Sequence, residues 1–171
     1  MSYNIRKSKP SDLDTILRLR EEARQTMIRT GNKNQWTAGH PATNVFVNDI
    51  KQGNSYLIED TDCNGRPTPV ASFAFIPGPD PTYAIIYDGK WLDETSSYHV
   101  LHRIASTPTS HGVMEALLQF CFTHACNIRI DTHRDNHIMQ HLLAKHGFSQ
   151  CGIIHLLNGD ERLAYQKVKL L

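Results

Sequence analysis

The run from Tyr98 to Thr132 constrains this chain more than any other stretch. YHVLHRIAS reads as a strand, TPTSHG as a polar loop, VMEALLQFCFTHA as a strongly apolar helix and NIRIDT as a second strand. That succession is a β-α-β crossover, so the fold contains a sheet with a helix laid across it.

The flanking segments extend the same plan. Tyr3 to Lys7 is a short alternating stretch, and Pro10-Ser11-Asp12 opens a helix in which Leu13, Ile16, Leu17 and Leu19 recur at helical spacing up to about Thr30. Lys33 to Thr43 is loop-like, Asn44 to Lys51 a second short helix, and Ser55–Glu59 and Pro69–Ile76 are strands joined by a turn from Asp60 to Pro67. Pro77-Gly78-Pro79-Asp80-Pro81 is a rigid break, and the stretch from Tyr83 to Trp91 fits a strand and an ordered loop equally. Asn136 to Lys145 is a helix stopped by His146-Gly147, and Phe148–Leu157 with Arg162–Val168 forms a terminal hairpin. At 171 residues with no internal repeat, residues 1–171 are expected to form a single α/β (mixed α+β) domain.

Composition narrows the partners. Lysine and arginine total 18 against 17 acidic residues, so no global field recruits nucleic acid or an anionic membrane. The N-terminal MSYNIRKSKPSDLD lacks the apolar core of a signal peptide and no run is long enough to span a bilayer, which predicts a cytoplasmic protein. Cys63, Cys121, Cys126 and Cys151 show no CxxC spacing and are expected as free thiols, three of them in apolar surroundings. Cys121 and Cys126 are expected on different faces of one helix.

Two clusters carry candidate chemistry. Thr109-Ser110-His111-Gly112 leads from a strand into a helix, where unpaired amides and the helix dipole can hold a phosphate; with one glycine it also fits a plain crossover loop. Between Arg129 and Phe148 stand His133, His137, His141 and His146. His137 and His141 are one helical turn apart, but residue 138 is isoleucine, HExxH is absent, and no full ligand set accompanies them, so no metal is expected. His146 suits the helix C-terminus as a cap.

The order of elements, together with Thr109-Ser110-His111-Gly112-Val113-Met114 and with Asn136 followed eleven residues later by Gly147-Phe148, resembles the GNAT superfamily of acyl-CoA N-acyltransferases over nearly the whole chain. The resemblance implies a central mixed, mostly antiparallel sheet flanked by helices, and an enzyme that moves acetyl from acetyl-CoA to a primary amine of a small molecule or peptide. It further implies that Ile104, Ala105 and Ser106 present their backbone to the co-substrate and that the amides of Thr109, Ser110, His111, Gly112, Val113 and Met114 hold its pyrophosphate, with Asn136 beside them. Thr109 and Met114 depart from the family loop, which has Gln or Arg and then Gly or Ala there. Leu143 stands where many members have a tyrosine that protonates the departing thiolate. These departures leave open a catalytically weak acyl-CoA-binding sensor as the alternative.

A base for the acceptor amine is expected at His102, on the strand that faces the acyl group; a histidine hydrogen-bonded within the sheet is the plainer reading of the same residue. Gln35, Trp36, Tyr83, Trp91 and Tyr98 are the expected acceptor-site residues, and aromatics so placed can equally cover the core edge. A homodimer is common among proteins of this resemblance.

Overall fold

The computed structural model describes residues 3–169. The chain runs β1 (Asn4–Lys7), α1 (Leu13–Arg29), α2 (Thr43–Lys51), β2 (Ser55–Thr61), β3 (Pro67–Pro77), β4 (His99–Ser106), α3 (Val113–Cys121), β5 (Asn127–Thr132), α4 (His137–Lys145), β6 (Ser149–His155) and β7 (Glu161–Val168). The strands form one seven-stranded sheet in the order β1-β2-β3-β4-β5-β7-β6. Every neighbouring pair is antiparallel except β4 and β5, the two strands joined by the crossover helix α3.

Helices cover both faces, as the hydrophobic pattern requires. Leu117 and Leu118 of α3 and Leu143 of α4 pack on Phe73, Leu101 and Ile130 of the sheet. Ile16 and Leu19 of α1 and Phe46 of α2 pack with Leu57 and Ala105 in a second cluster. A third cluster forms where the segment between β3 and β4 folds back, so that Tyr83 and Trp91 cover Val100, Ile154 and Ala164.

Two local readings are corrected and a third, left between strand and loop, is resolved. The apolar helix over 113–125 stops at Cys121, where the Thr123 hydroxyl donates to the Phe120 carbonyl at 2.7 Å and turns replace the regular ladder. Cys126 therefore lies off the helix; it and Cys63 are exposed, and only Cys121 and Cys151 are buried among apolar side chains. The stretch from Tyr83 to Trp91 is an ordered loop, held to β6 by a single bridge between Tyr87 and Ile153.

The feature that opens the sheet lies in β4. Ser72 pairs with Ala105 and Ala74 with His102, so Phe73 alone faces two residues, Arg103 and Ile104. This is a β-bulge, and Arg103 takes up the extra length with φ +54°, a left-handed conformation that few side chains other than glycine adopt. Its guanidinium grips buried Asp49 of α2 through two bonds, at 2.7 and 2.8 Å, which hold the bulge from the α1/α2 side. Pairing of β4 with β5 covers only His99–Leu101 against Ile128–Ile130, although β4 continues to Ser106 and β5 to Thr132. Beyond the bulge the two parallel strands part.

Leu143 is fully buried in the main core beneath this gap. Leu143→Ala should cost about 2–5 kcal/mol, the range for an aliphatic side chain deleted from a close-packed core. Chemical denaturation should show the loss as a lower midpoint with an unchanged slope.

Candidate active site

Two adjoining hollows open beside the parted end of β4, and the smaller one lies between β4 and β5. The larger, about 360 Å³, lies between α1, the start of α3 and the length of α4, and is lined by Ile104, Ser106, Gly112, Met114, Asn136 and Met139 among others. The smaller, about 150 Å³, is lined by Gln35, Trp36, His40, His102, Asp131 and Arg162. Met27, Ile104, Asn136 and Met139 border both, so the two adjoin beside the parted end of β4.

The entrance to the large cleft is built of backbone. Gly112 has φ +72° and caps α3 without a side-chain bond, and a Cβ placed there would meet nothing within 4 Å, so the main chain is open to the cleft. Among the described residues the amides of His111 to Glu115 have no hydrogen-bond partner, and all five residues line the cleft. Five free amides at the positive end of a helix fit the pyrophosphate of a coenzyme A thioester. Tyr3 secures the loop by donating to the His111 carbonyl at 2.6 Å, and the Ser110 hydroxyl bonds to Thr107.

The co-substrate residues expected from the sequence divide as follows. Ile104, Ser106, Ser110, His111, Gly112, Val113, Met114 and Asn136 all line the cleft. Thr109 is exposed outside its lining, and the Ala105 side chain is buried beneath α1. Asn136 caps α4 by accepting from the Met139 amide at 3.1 Å, and its own amide donates to Gln35 at 2.9 Å. Gln35 Oε1 also accepts from Asn32 at 2.8 Å, so it ties the loop after α1 to α4 and sets Trp36 against the pocket.

His102 reaches the small pocket between two carboxylates. Its Nε2 lies 3.0 Å from Asp80 Oδ2, and because a carboxylate only accepts, the hydrogen belongs to Nε2. Nδ1 then carries the lone pair of the neutral ring and lies 3.8 Å from Asp131 Oδ1, too far for a bond between them. Two acceptors facing each other across that gap fit a group with several N–H donors. Asp131 also accepts from the Tyr83 hydroxyl at 2.6 Å. Burial, and then the charge of Asp131, keep that phenol protonated as a donor.

The aromatic residues expected at the acceptor site separate accordingly. Trp36 lines the pocket. Tyr83 is buried behind it, bonded to Asp131 and packed near the His102 ring at 5.9 Å between centroids. Trp91 and Tyr98 lie outside the pocket and hold the Arg129 guanidinium between their rings at 4.1 and 3.9 Å, a packing role that corrects their expected place in the wall. His99 stacks on Phe75 away from the pocket. Leu143 is core and lines neither hollow, while His137 and His141 stand exposed on α4. Among the described residues no group of three or more His, Cys, Asp or Glu is placed to hold a metal ion.

Sequence reasoning missed Asp80, Asp131 and Arg162. A signal was present for two of them. Asp80 lies inside a proline-rich break that fixes its direction, and Arg129 and Asp131 put opposite charges on one face of an otherwise apolar central strand.

Compared with protein-family models the sequence matches none, and no curated protein matches it. Solved structures do. An acetyltransferase of the GNAT family from Streptococcus agalactiae superimposes with a TM-score of 0.86 and 34% identity, covering 99% of this chain and 96% of that one. A GNAT-family acetyltransferase from Listeria monocytogenes gives a TM-score of 0.67 at 17% identity, over 97% of this chain and 94% of the other, which speaks for the fold alone. So does a chain of the NatC complex bound to Gag peptide and CoA, with a TM-score of 0.62 and 12% identity, over 99% and 100% of the two chains.

Burial pushes the Asp80 carboxyl up, but the hydrogen bonds from His102 and Thr82 outweigh it and hold the group at about 2, against an ordinary 3.8. A carboxyl depressed in the folded state stabilises it above the unfolded value and loses that contribution as pH falls through the folded one. The stability gap between the native protein and Asp80→Asn should therefore be full above about pH 5 and should close as pH is lowered toward 2. Denaturation midpoints at several pH values measure it.

Proposed function

The chain belongs to the GNAT family of acetyltransferases, and on that premise we propose that it moves an acetyl group from acetyl-CoA to the primary amine of a small molecule or peptide, with His102 as the base. The observation that carries this reading is that the two hollows share a wall at Ile104, Asn136 and Met139: one offers free amides for a pyrophosphate, the other an imidazole lone pair facing a carboxylate.

Acetyl-CoA supplies the activated acyl thioester; the rest is the work of this chain. The amides of His111 to Glu115 bind the pyrophosphate, and Ile104 and Ser106 of the parted β4 border the path of the acyl arm toward the acceptor pocket. The acceptor enters as an ammonium, donating to Asp131 and to His102 Nδ1 across their 3.8 Å gap. Nδ1 takes one proton and frees the amine for attack, and Asp80 on Nε2 stabilises the imidazolium that forms. Tyr83 keeps Asp131 in place by its 2.6 Å bond.

The leaving thiolate does not require an acid at position 143. With an ordinary thiol acidity of about 8.5 it departs without prior protonation near neutral pH, the second proton of the acylated nitrogen passes to solvent, and Leu143 contributes packing instead.

Two outcomes test the proposal. Acetyl-CoA at a hundred times its dissociation constant should add about 2.7 kcal/mol to stability and raise the melting temperature; no shift at millimolar concentration would overturn the proposal. His102→Gln should lower kcat/KM in a thiol-release assay by about 10²–10⁴-fold while preserving the acetyl-CoA-induced rise in melting temperature. Loss of both together would remove His102 from the acceptor side.

A further inference from the structure

Resting on the acetyl-transfer reading, we propose that the acceptor is a small α-amino acid whose free carboxylate is bound by Arg162. Arg162 of β7 is almost fully buried and lines the acceptor pocket but not the co-substrate cleft. A guanidinium carries five N–H donors in a fixed fork. Among the described residues its one side-chain hydrogen bond runs from Nη1 to the Glu161 carbonyl at 2.9 Å. The carboxylate facing it, Asp131, is 4.0 Å away from Nε, outside bonding distance.

That gap is informative beside the other buried pair of this fold. Arg103 and Asp49 close to 2.7 and 2.8 Å in a bidentate grip. A buried charge left without such a partner is costly, and Arg162 with Asp131 is a pair held open by the strands that carry it. Asp131 is pulled toward Tyr83, and Arg162 is tied back to its neighbour's carbonyl. The pocket therefore presents a negative pole, Asp131 with the Nδ1 lone pair of His102, beside a positive pole, Arg162.

An α-amino acid carries the complementary pair, an ammonium and a carboxylate one carbon apart. Its ammonium meets Asp131 and His102, and its carboxylate meets the free edge of the guanidinium. The other charged groups nearby are already engaged, Asp80 by His102 and Thr82, and Arg103 by Asp49. Trp36, Leu156, Met27, Met139 and Ile130 supply an apolar wall, and about 150 Å³ is small beside the roughly 300–1,000 Å³ of drug-sized sites, which selects a short apolar side chain. The α-amine of a peptide has an amide where this pocket asks for a carboxylate.

The test compares L-leucine and L-methionine with isoamylamine and L-leucinamide in a thiol-release assay with acetyl-CoA. The free acids should exceed the amide and the decarboxylated amine in kcat/KM by about ten- to hundredfold, the range for a charge-assisted bond. In Arg162→Gln the KM for L-leucine should rise by about tenfold or more while those for isoamylamine and acetyl-CoA stay within about threefold, a split that a merely structural role would not produce. Arg162→Lys should recover part of the loss. Should Arg162→Gln fail to fold, the comparison on the native protein still decides. Equal or better turnover of isoamylamine or leucinamide overturns the amino-acid inference and leaves acetyl transfer standing. No thiol release from any of these amines, with acetyl-CoA bound, overturns both.

Discussion

Everything at the site depends on the bulge at Arg103. Without it β4 would continue in register with β3, and nothing in the pairing would turn it from β5 after Leu101. The left-handed backbone at Arg103 is uncommon for a residue with a long side chain, and its cost is offset by what that side chain does. The bidentate bond to Asp49 anchors α2 to the sheet and holds the strained residue in place. One ion pair thus joins the packing of the N-terminal helices to the opening of the cleft.

The parted strands set two kinds of recognition side by side. On the α3 side the chain offers unpaired main-chain amides, donors that remain whatever side chains the loop carries, so the departures at Thr109 and Met114 do not remove them. On the β5/β7 side the pocket offers side chains with fixed charges and fixed tautomer. The hydrogen on Nε2 of His102 is dictated by Asp80, and that assignment leaves the lone pair on Nδ1, facing Asp131. Tyr83 and the Arg129 sandwich between Trp91 and Tyr98 stabilise the segment from which Asp80 projects.

The elements were legible because their signals are local. Leu13, Ile16 and Leu19 state a helix by spacing alone, and the crossover around VMEALLQFC leaves little freedom in how its two strands lie. Even there, one hydroxyl at Thr123 shortened the helix, a competition that periodicity does not register. The amide-rich loop was legible for the same reason, since a strand, a glycine and a helix start follow one another in the chain. The acceptor pocket was legible only in part. Gln35 and Trp36 border it, but Trp91 and Tyr98, aromatics in a similar loop setting, were claimed by a buried arginine of β5, beyond β4 and α3 in the chain.

What the sequence by itself determined is the fold, the direction of the crossover helix and the place of the amide-rich loop, because each follows from neighbours along the chain. Tertiary structure alone decided that Asp80, His102, Asp131 and Arg162 share one pocket. They come from a proline-rich loop and three different strands, and which of them meet depends on strand order and on a single extra residue in β4. The same placement decided that Leu143 is core, since a side chain at the expected position of an acid turns inward once α4 has packed against the sheet.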